Sequence, residues 1–173
     1  MRQLGQTGSL PGIEPLDPEL WFQALERLSS RISASNDNDV ESMLRHALHL
    51  VQLTPGPLKG VVRCEIGEDA FEAFLERGAF DSAAIALVGS PMCYELNCAL
   101  EAGRRVIEAR AWIPSQAAQP GPAAGECLAS ALLGAWTGCL VALRRRSLAS
   151  EAPVLHQFPR TARHERHQKS TGH

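Results

Sequence analysis

At 173 residues the chain is long enough to enclose one hydrophobic core, and its 45% hydrophobic and 21% charged residues are the balance of an ordinary globular protein rather than a disordered or fibrous one. The net charge of −2 hides a split. Residues 1–143 carry 10 basic and 17 acidic side chains, a balance of −7, and residues 144–173 carry 7 and 2, a balance of +5. The basic residues are 15 Arg against 2 Lys, and Ala occurs 24 times; both favour GC-rich codons and point to a bacterial source.

Residues 1–15 are rich in Gly, Gln, Ser and Pro and read as a disordered N-terminus. Asp17, Pro18 and Glu19 form the start of a helix: a capping carboxylate, a ring that fixes the first turn, and a negative charge near the positive end of the helix dipole. Trp21, Leu25, Leu28 and Ile32 follow at helical spacing. The polar stretch 35–39 breaks this helix. A second one carries Val40, Leu44, Ala47 and Val51, widened by Met43 and Leu48, until Thr54-Pro55-Gly56-Pro57 stops it. Residues 17–53 therefore read as a helical hairpin.

The period then changes. Val61 to Ile66 reads as a strand, and Glu68 to Arg77 as a short helix closed by Gly78. The apolar run Ala83 to Val88 reads as another strand. Tyr94, Leu96, Cys98 and Leu100 alternate with Glu95, Asn97 and Ala99, the pattern of a half-buried strand, and Ala102-Gly103 turns the chain. Ile107, Ala109, Ala111 and Ile113 then alternate with Glu108, Arg110 and Trp112. Pro114 to Gly125 reads as a loop leading into a helix over 126–146.

The 17 uncharged residues Cys127 to Leu143, followed by Arg144, Arg145 and Arg146, admit two readings. A membrane span needs about 20 apolar residues, and Gly134 and Gly138 give the G-x-x-x-G spacing of close-packed membrane helices. Retaining the arginines on the cytoplasmic side, however, sends residues 1–126 across a membrane behind an N-terminus with no apolar signal core. The opposite orientation translocates a basic tail. The run is accordingly read as the buried helix of a soluble domain. The expected fold is α+β: the N-terminal helical hairpin, then a small antiparallel β-meander packed on a long apolar C-terminal helix. One domain covers 16–146 (helices over 17–53, sheet and helix over 60–146), followed by a disordered basic, His-containing tail over 147–173.

Five cysteines, at 64, 93, 98, 127 and 139, form an odd set without metal-ligand spacing. They read as reduced thiols of a cytoplasmic protein, serving as small buried hydrophobes. There is no phosphate-binding glycine loop, no H-E-x-x-H and no G-x-S-x-G. His46 and His49 share a helix turn without a third ligand of convincing spacing, and Glu41 is expected to pair with Arg45. Glu65, Glu68, Asp69, Glu72 and Glu76 form one charged helix face. No catalytic, metal or cofactor site is assigned.

The expectation is a small non-catalytic interaction or accessory protein, binding another protein or a second copy of itself through the Trp21 stripe or the sheet edge. An alternative is nucleic-acid association through Arg160, Arg163, Arg166 and Lys169 of the tail, whose spacing suits a phosphate backbone but which lacks interleaved aromatics. A third is membrane anchoring through 127–143.

Overall fold

The computed structural model describes residues 14–34, 39–89, 92–114 and 122–151, of which 145–151 as backbone only. Helix α1 spans Pro18–Ala34 and α2 Val40–Gln52. A single 3-10 turn follows at Gly56–Leu58. Helices α3 (Glu68–Glu76) and α4 (Phe80–Val88) lead into strands β1 (Cys93–Glu101), β2 (Arg104–Trp112) and β3 (Ala123–Gly125), and α5 (Leu128–Glu151) closes the described chain. The strands form an antiparallel sheet in the order β1-β2-β3. The fold is α+β, with the sheet packed against α5.

The N-terminal hairpin forms as its sequence dictates. The Asp17 carboxylate accepts the backbone N–H groups of Glu19 (2.9 Å) and Leu20 (3.4 Å), donors that a first helical turn otherwise leaves unpaired. The stripe of α1 turns inward, and Trp21, Leu25 and Leu28 are fully buried. The indole N–H of Trp21 donates to the carbonyl of Leu50 at 2.7 Å, fastening α1 to the last turn of α2. Thr54 Oγ1 donates to the same carbonyl at 3.2 Å. Burial removes the Trp21 stripe from the candidate oligomer surfaces, because its apolar face is spent inside one chain.

Helix α5 is the centre of the molecule. Strands β2 and β3 pack on one side of it, and α1 and α4 on others. A helix enclosed from several directions needs apolar residues nearly all round. Ala129, Ala131, Leu132, Leu133, Ala135, Trp136, Cys139 and Leu140 are all buried. The buried Thr137 hydroxyl donates to the carbonyl of Gly134 at 3.0 Å, so it carries no unpaired polar group. Among the described residues, no helix is long and apolar enough to cross a membrane. The run 127–143 is explained by enclosure. The charged Arg144 lies within the same helix, and its guanidinium pairs with Glu19 and with Glu26 (2.8 Å) of α1 and sits 5.7 Å from the Phe22 ring centre. Gly134 serves packing: a Cβ there meets the Cβ of Ala123 on β3 at 3.1 Å, whereas a Cβ on Gly138 meets nothing within 4 Å.

Three segments differ from the sequence reading. Ala83–Val88 is the C-terminal part of α4, not a strand. A continuous apolar run carries no period to separate a buried strand from a buried helix, and alanine, with the highest helix propensity, tips the balance. Ala83, Ala84, Ala86, Leu87 and Val88 are buried, and the Asp81 carboxylate in the first turn of α4 accepts the N–H of Ala129 at 3.1 Å, capping α5. Val61–Ile66 is irregular; the N–H of Glu65 bonds to the carbonyl of Ala86 at 3.1 Å rather than to a neighbouring strand. The third strand is the short Ala123–Gly125, within the stretch read as a loop. Its register is Ile107↔Gly125 to Ala109↔Ala123. Gly125 permits that strand to pass close to α5, since a Cβ there collides with Ser130 Oγ and comes to 2.7 Å from the N of Ala131.

Candidate functional site

The feature with the clearest capacity for an external role is the face of β1 on the α5 side. Strand β1 pairs with β2 without interruption from Cys93↔Trp112 to Glu101↔Arg104. The turn between them is the two-residue loop Ala102-Gly103, both at positive φ (49° and 77°), the backbone of a type I′ hairpin. This register places Tyr94 opposite Ala111, Leu96 opposite Ala109 and Cys98 opposite Ile107. Ala111, Ala109 and Ile107 are buried beneath α5. Residues directly opposite in a sheet share a face, so Tyr94, Leu96, Cys98 and Leu100 continue the core-facing layer one strand further out.

Helix α5 packs mainly on β2 and β3, with little contact to β1. A helix about 10 Å across covers roughly two strands spaced about 4.8 Å apart. The apolar row is left exposed: Tyr94 is 39% accessible, Leu96 37% and Leu100 79%. Cys98 is exposed too, its Sγ accepting a hydrogen bond from Arg105 Nε at 3.3 Å. On the opposite face, Glu95, Asn97 and Arg110 are exposed and Glu108 partly so, the wetter face their polarity implies.

A cleft of about 870 Å³ lies between α1, the β2–β3 side of the sheet and the start of α5. Its polar lining includes Ser29, Ser33, Arg104, Arg105, Glu126 and Ser130. Two of these hydroxyls are engaged locally: Ser33 Oγ donates to the carbonyl of Ser29 at 3.1 Å and Ser130 Oγ to that of Cys127 at 3.0 Å. Among the described residues, no histidine or cysteine lines the cleft beside them.

The remaining sequence candidates fall into place as structure. Arg45 pairs with Glu41 at 2.9 Å and also with Glu72 of α3, so part of the acidic face of 65–76 ties α3 to α2. His46 is half-buried and His49 exposed on α2. Burial first, then the positive charges of Arg31 and His49, hold His46 below its ordinary pKa. No three His, Cys, Asp or Glu side chains among the described residues are grouped to hold a metal ion. Of the cysteines, Cys139 is buried, Cys64 and Cys127 are half-buried, and Cys93 and Cys98 are exposed. The reading of all five as buried hydrophobes is thus corrected at two positions, both on β1. Burial raises the Cys64 thiol pKa. Arg160, Arg163, Arg166 and Lys169 lie outside the described residues.

The sequence displayed the Tyr94–Leu100 alternation but assigned its apolar side to the core. The signal for exposure was the width of the covering helix: α5 is too narrow for a three-stranded sheet, and α4 meets β1 at Tyr94, where Ser82, Ile85 and Ala86 line a shallow hollow with it. No protein-family model, curated protein or solved structure matches the chain.

Proposed function

We propose that this chain is a small interaction or accessory protein that binds another protein through the exposed apolar face of β1. One observation carries the reading: Tyr94, Leu96, Cys98 and Leu100 extend the core layer beyond the reach of α5. Scattered exposed apolar residues are ordinary on any protein surface, whereas a contiguous row beside a packed helix is the form of a protein-binding face. A partner with a matching apolar segment removes this row from water and, at its Tyr94 end, meets Ser82, Ile85 and Ala86 of α4. The five free thiols support a reducing, cytoplasmic setting, and the Arg and Ala bias supports a bacterial one.

The test replaces Leu96 and Leu100 with lysine. Both side chains are exposed, so the variant is expected to keep the wild-type circular dichroism spectrum. Complexes are purified from cells of the source organism carrying either protein, and the partner lost in the variant is reconstituted from purified components. Loss of one identified partner, reproduced in reconstitution, is the expected result. A variant that retains every wild-type partner, or a wild-type chain that purifies without any, refutes the proposal.

A further inference from the structure

The face of β1 and its edge point in perpendicular directions, and the edge makes a separate demand. The N–H and C=O groups of β1 that point away from β2 meet no further strand among the described residues, because β1 is terminal in the order β1-β2-β3. Nine residues at about 3.3 Å each make an edge of roughly 30 Å. Proteins that keep such an edge solitary shorten it, bulge it, or place Pro or Lys along it. β1 uses few of these devices: its sequence CYELNCALE contains no Pro, Lys or Arg, its only charges are Glu95 and Glu101, and its register with β2 is unbroken.

We propose that the free edge of β1 pairs antiparallel with the same edge of a second copy of this chain, about a two-fold axis through Asn97. The two three-stranded sheets then become one of six strands. The sequence of β1 is self-complementary in this register. Tyr94 falls opposite Leu100 of the second copy, Leu96 opposite Cys98, Glu95 opposite Ala99, Cys93 opposite Glu101, and Asn97 opposite itself. All nine residues pair, the Tyr94–Leu100 row meets itself on one face, and no two carboxylates stand directly opposite, where like charges destabilise.

Neighbouring registers are poorer. Only axes through a residue keep the apolar row on one face, because side chains alternate with a period of two. Moving the axis to Cys98 sets Glu95 opposite Glu101 twice. Moving it to Leu96 carries Leu100 and Glu101 past the end of the facing strand. The Asn97 axis is the one that uses the whole edge. It also places both copies of α5 on the same side of the sheet, with the two apolar rows adjacent between them. The proposed protein-binding face is thereby doubled, although the pairing itself rests on the edge and not on that partner.

Register is tested by cysteine placement in a chain with Cys93 and Cys98 changed to Ser. In the Asn97→Cys variant the two copies place Cα atoms about 4.5–5.5 Å apart, within disulfide range. In the Ala99→Cys variant the same atoms are offset by four residues, about 13 Å along the strands, beyond bridging. The expected results are a wild-type particle of twice the 18.7 kDa chain mass by light scattering and near-complete disulfide dimer on mild oxidation of the Asn97→Cys variant. The Ala99→Cys variant is expected to stay uncrosslinked. A monomeric wild-type chain at about 100 μM, a range in which even modest interfaces associate, overturns the proposal. So does a dimer in which Asn97→Cys fails to crosslink, or one in which wild-type Cys98 crosslinks to itself. A monomer that still loses its protein partner on Leu96 and Leu100 substitution overturns the pairing while leaving the proposed function standing.

Discussion

The carbonyl of Leu50 is the joint of the N-terminal hairpin, and its two donors make a quantitative test. Trp21 Nε1 reaches it at 2.7 Å from α1, and Thr54 Oγ1 at 3.2 Å from the segment after α2; both side chains are at most 1% exposed. Trp21→Phe removes one donor, worth about 1 kcal/mol net, and leaves part of the indole volume empty, for a total of about 2–3 kcal/mol. Thr54→Val keeps the shape and removes the other donor, costing about 1 kcal/mol. After either change the carbonyl still has a partner. After both it is buried without one, and the desolvation penalty of about 1–3 kcal/mol then appears in full. The double variant is therefore expected to lose about 1–2 kcal/mol beyond the sum of the singles. Urea unfolding followed by circular dichroism measures all four free energies. A double variant additive to within about 0.5 kcal/mol, the scatter found for independent sites, refutes the claim that both groups serve one acceptor.

Four further outcomes follow from local geometry and electrostatics. Ala102 holds φ 49°, a region that costs an alanine about 1 kcal/mol or more and that asparagine tolerates, so Ala102→Asn is expected to raise the thermal midpoint through the favoured Asn-Gly turn. Gly138→Ala, with open space around its Cβ, is expected to stabilise by about 0.5–1 kcal/mol in chemical denaturation. Gly134→Ala, whose Cβ meets Ala123 at 3.1 Å, is expected to destabilise; equal effects at the two glycines contradict the packing role given to Gly134. His46 has its pKa held below 6.5 in the folded chain by burial, then by Arg31 and His49. The unfolded chain then binds more protons as pH falls through about 6.5, so stability declines on acidification. Urea midpoints at pH 7.5 and 5.5 are expected to converge in His46→Gln, and an unchanged gap between them removes His46 as the cause.

The helical hairpin was legible because its signals are local and redundant. Asp17 caps α1 whatever the rest of the chain does, and the Trp21 and Leu44 stripes report a 3.6-residue period over more than three turns each. The β1–β2 hairpin was legible for the same reason, since two alternating runs flank Ala102-Gly103. Ala83–Val88 lacked any such signal. Its environment is apolar on most sides, with only Ile85 substantially exposed, so neither a period of two nor one of 3.6 is imprinted on it. Ala123–Gly125 failed for the opposite reason: three small residues are too few to show a period, and the strand exists because β2 and α5 lie on either side of it.

The error over Ala83–Val88 had consequences for the candidate site beyond six residues of secondary structure. As a strand, that segment begins a meander in which 94–100 is the central strand, hydrogen-bonded on both edges and sheltered on its apolar face. As helix α4, it leaves the sheet, and β1 becomes the terminal strand. One change of period thus converts Tyr94, Leu96 and Leu100 from expected core into exposed surface, and leaves the outer edge of β1 without a further strand among the described residues. The residues are the same, and their alternation was read correctly. What the alternation reports is that one side of β1 avoids water, and a core helix and a partner molecule satisfy that requirement equally well. Only the position of α5, whose packing on the sheet falls mainly on β2 and β3, separates the two, and among the described residues it leaves the apolar side of β1 uncovered.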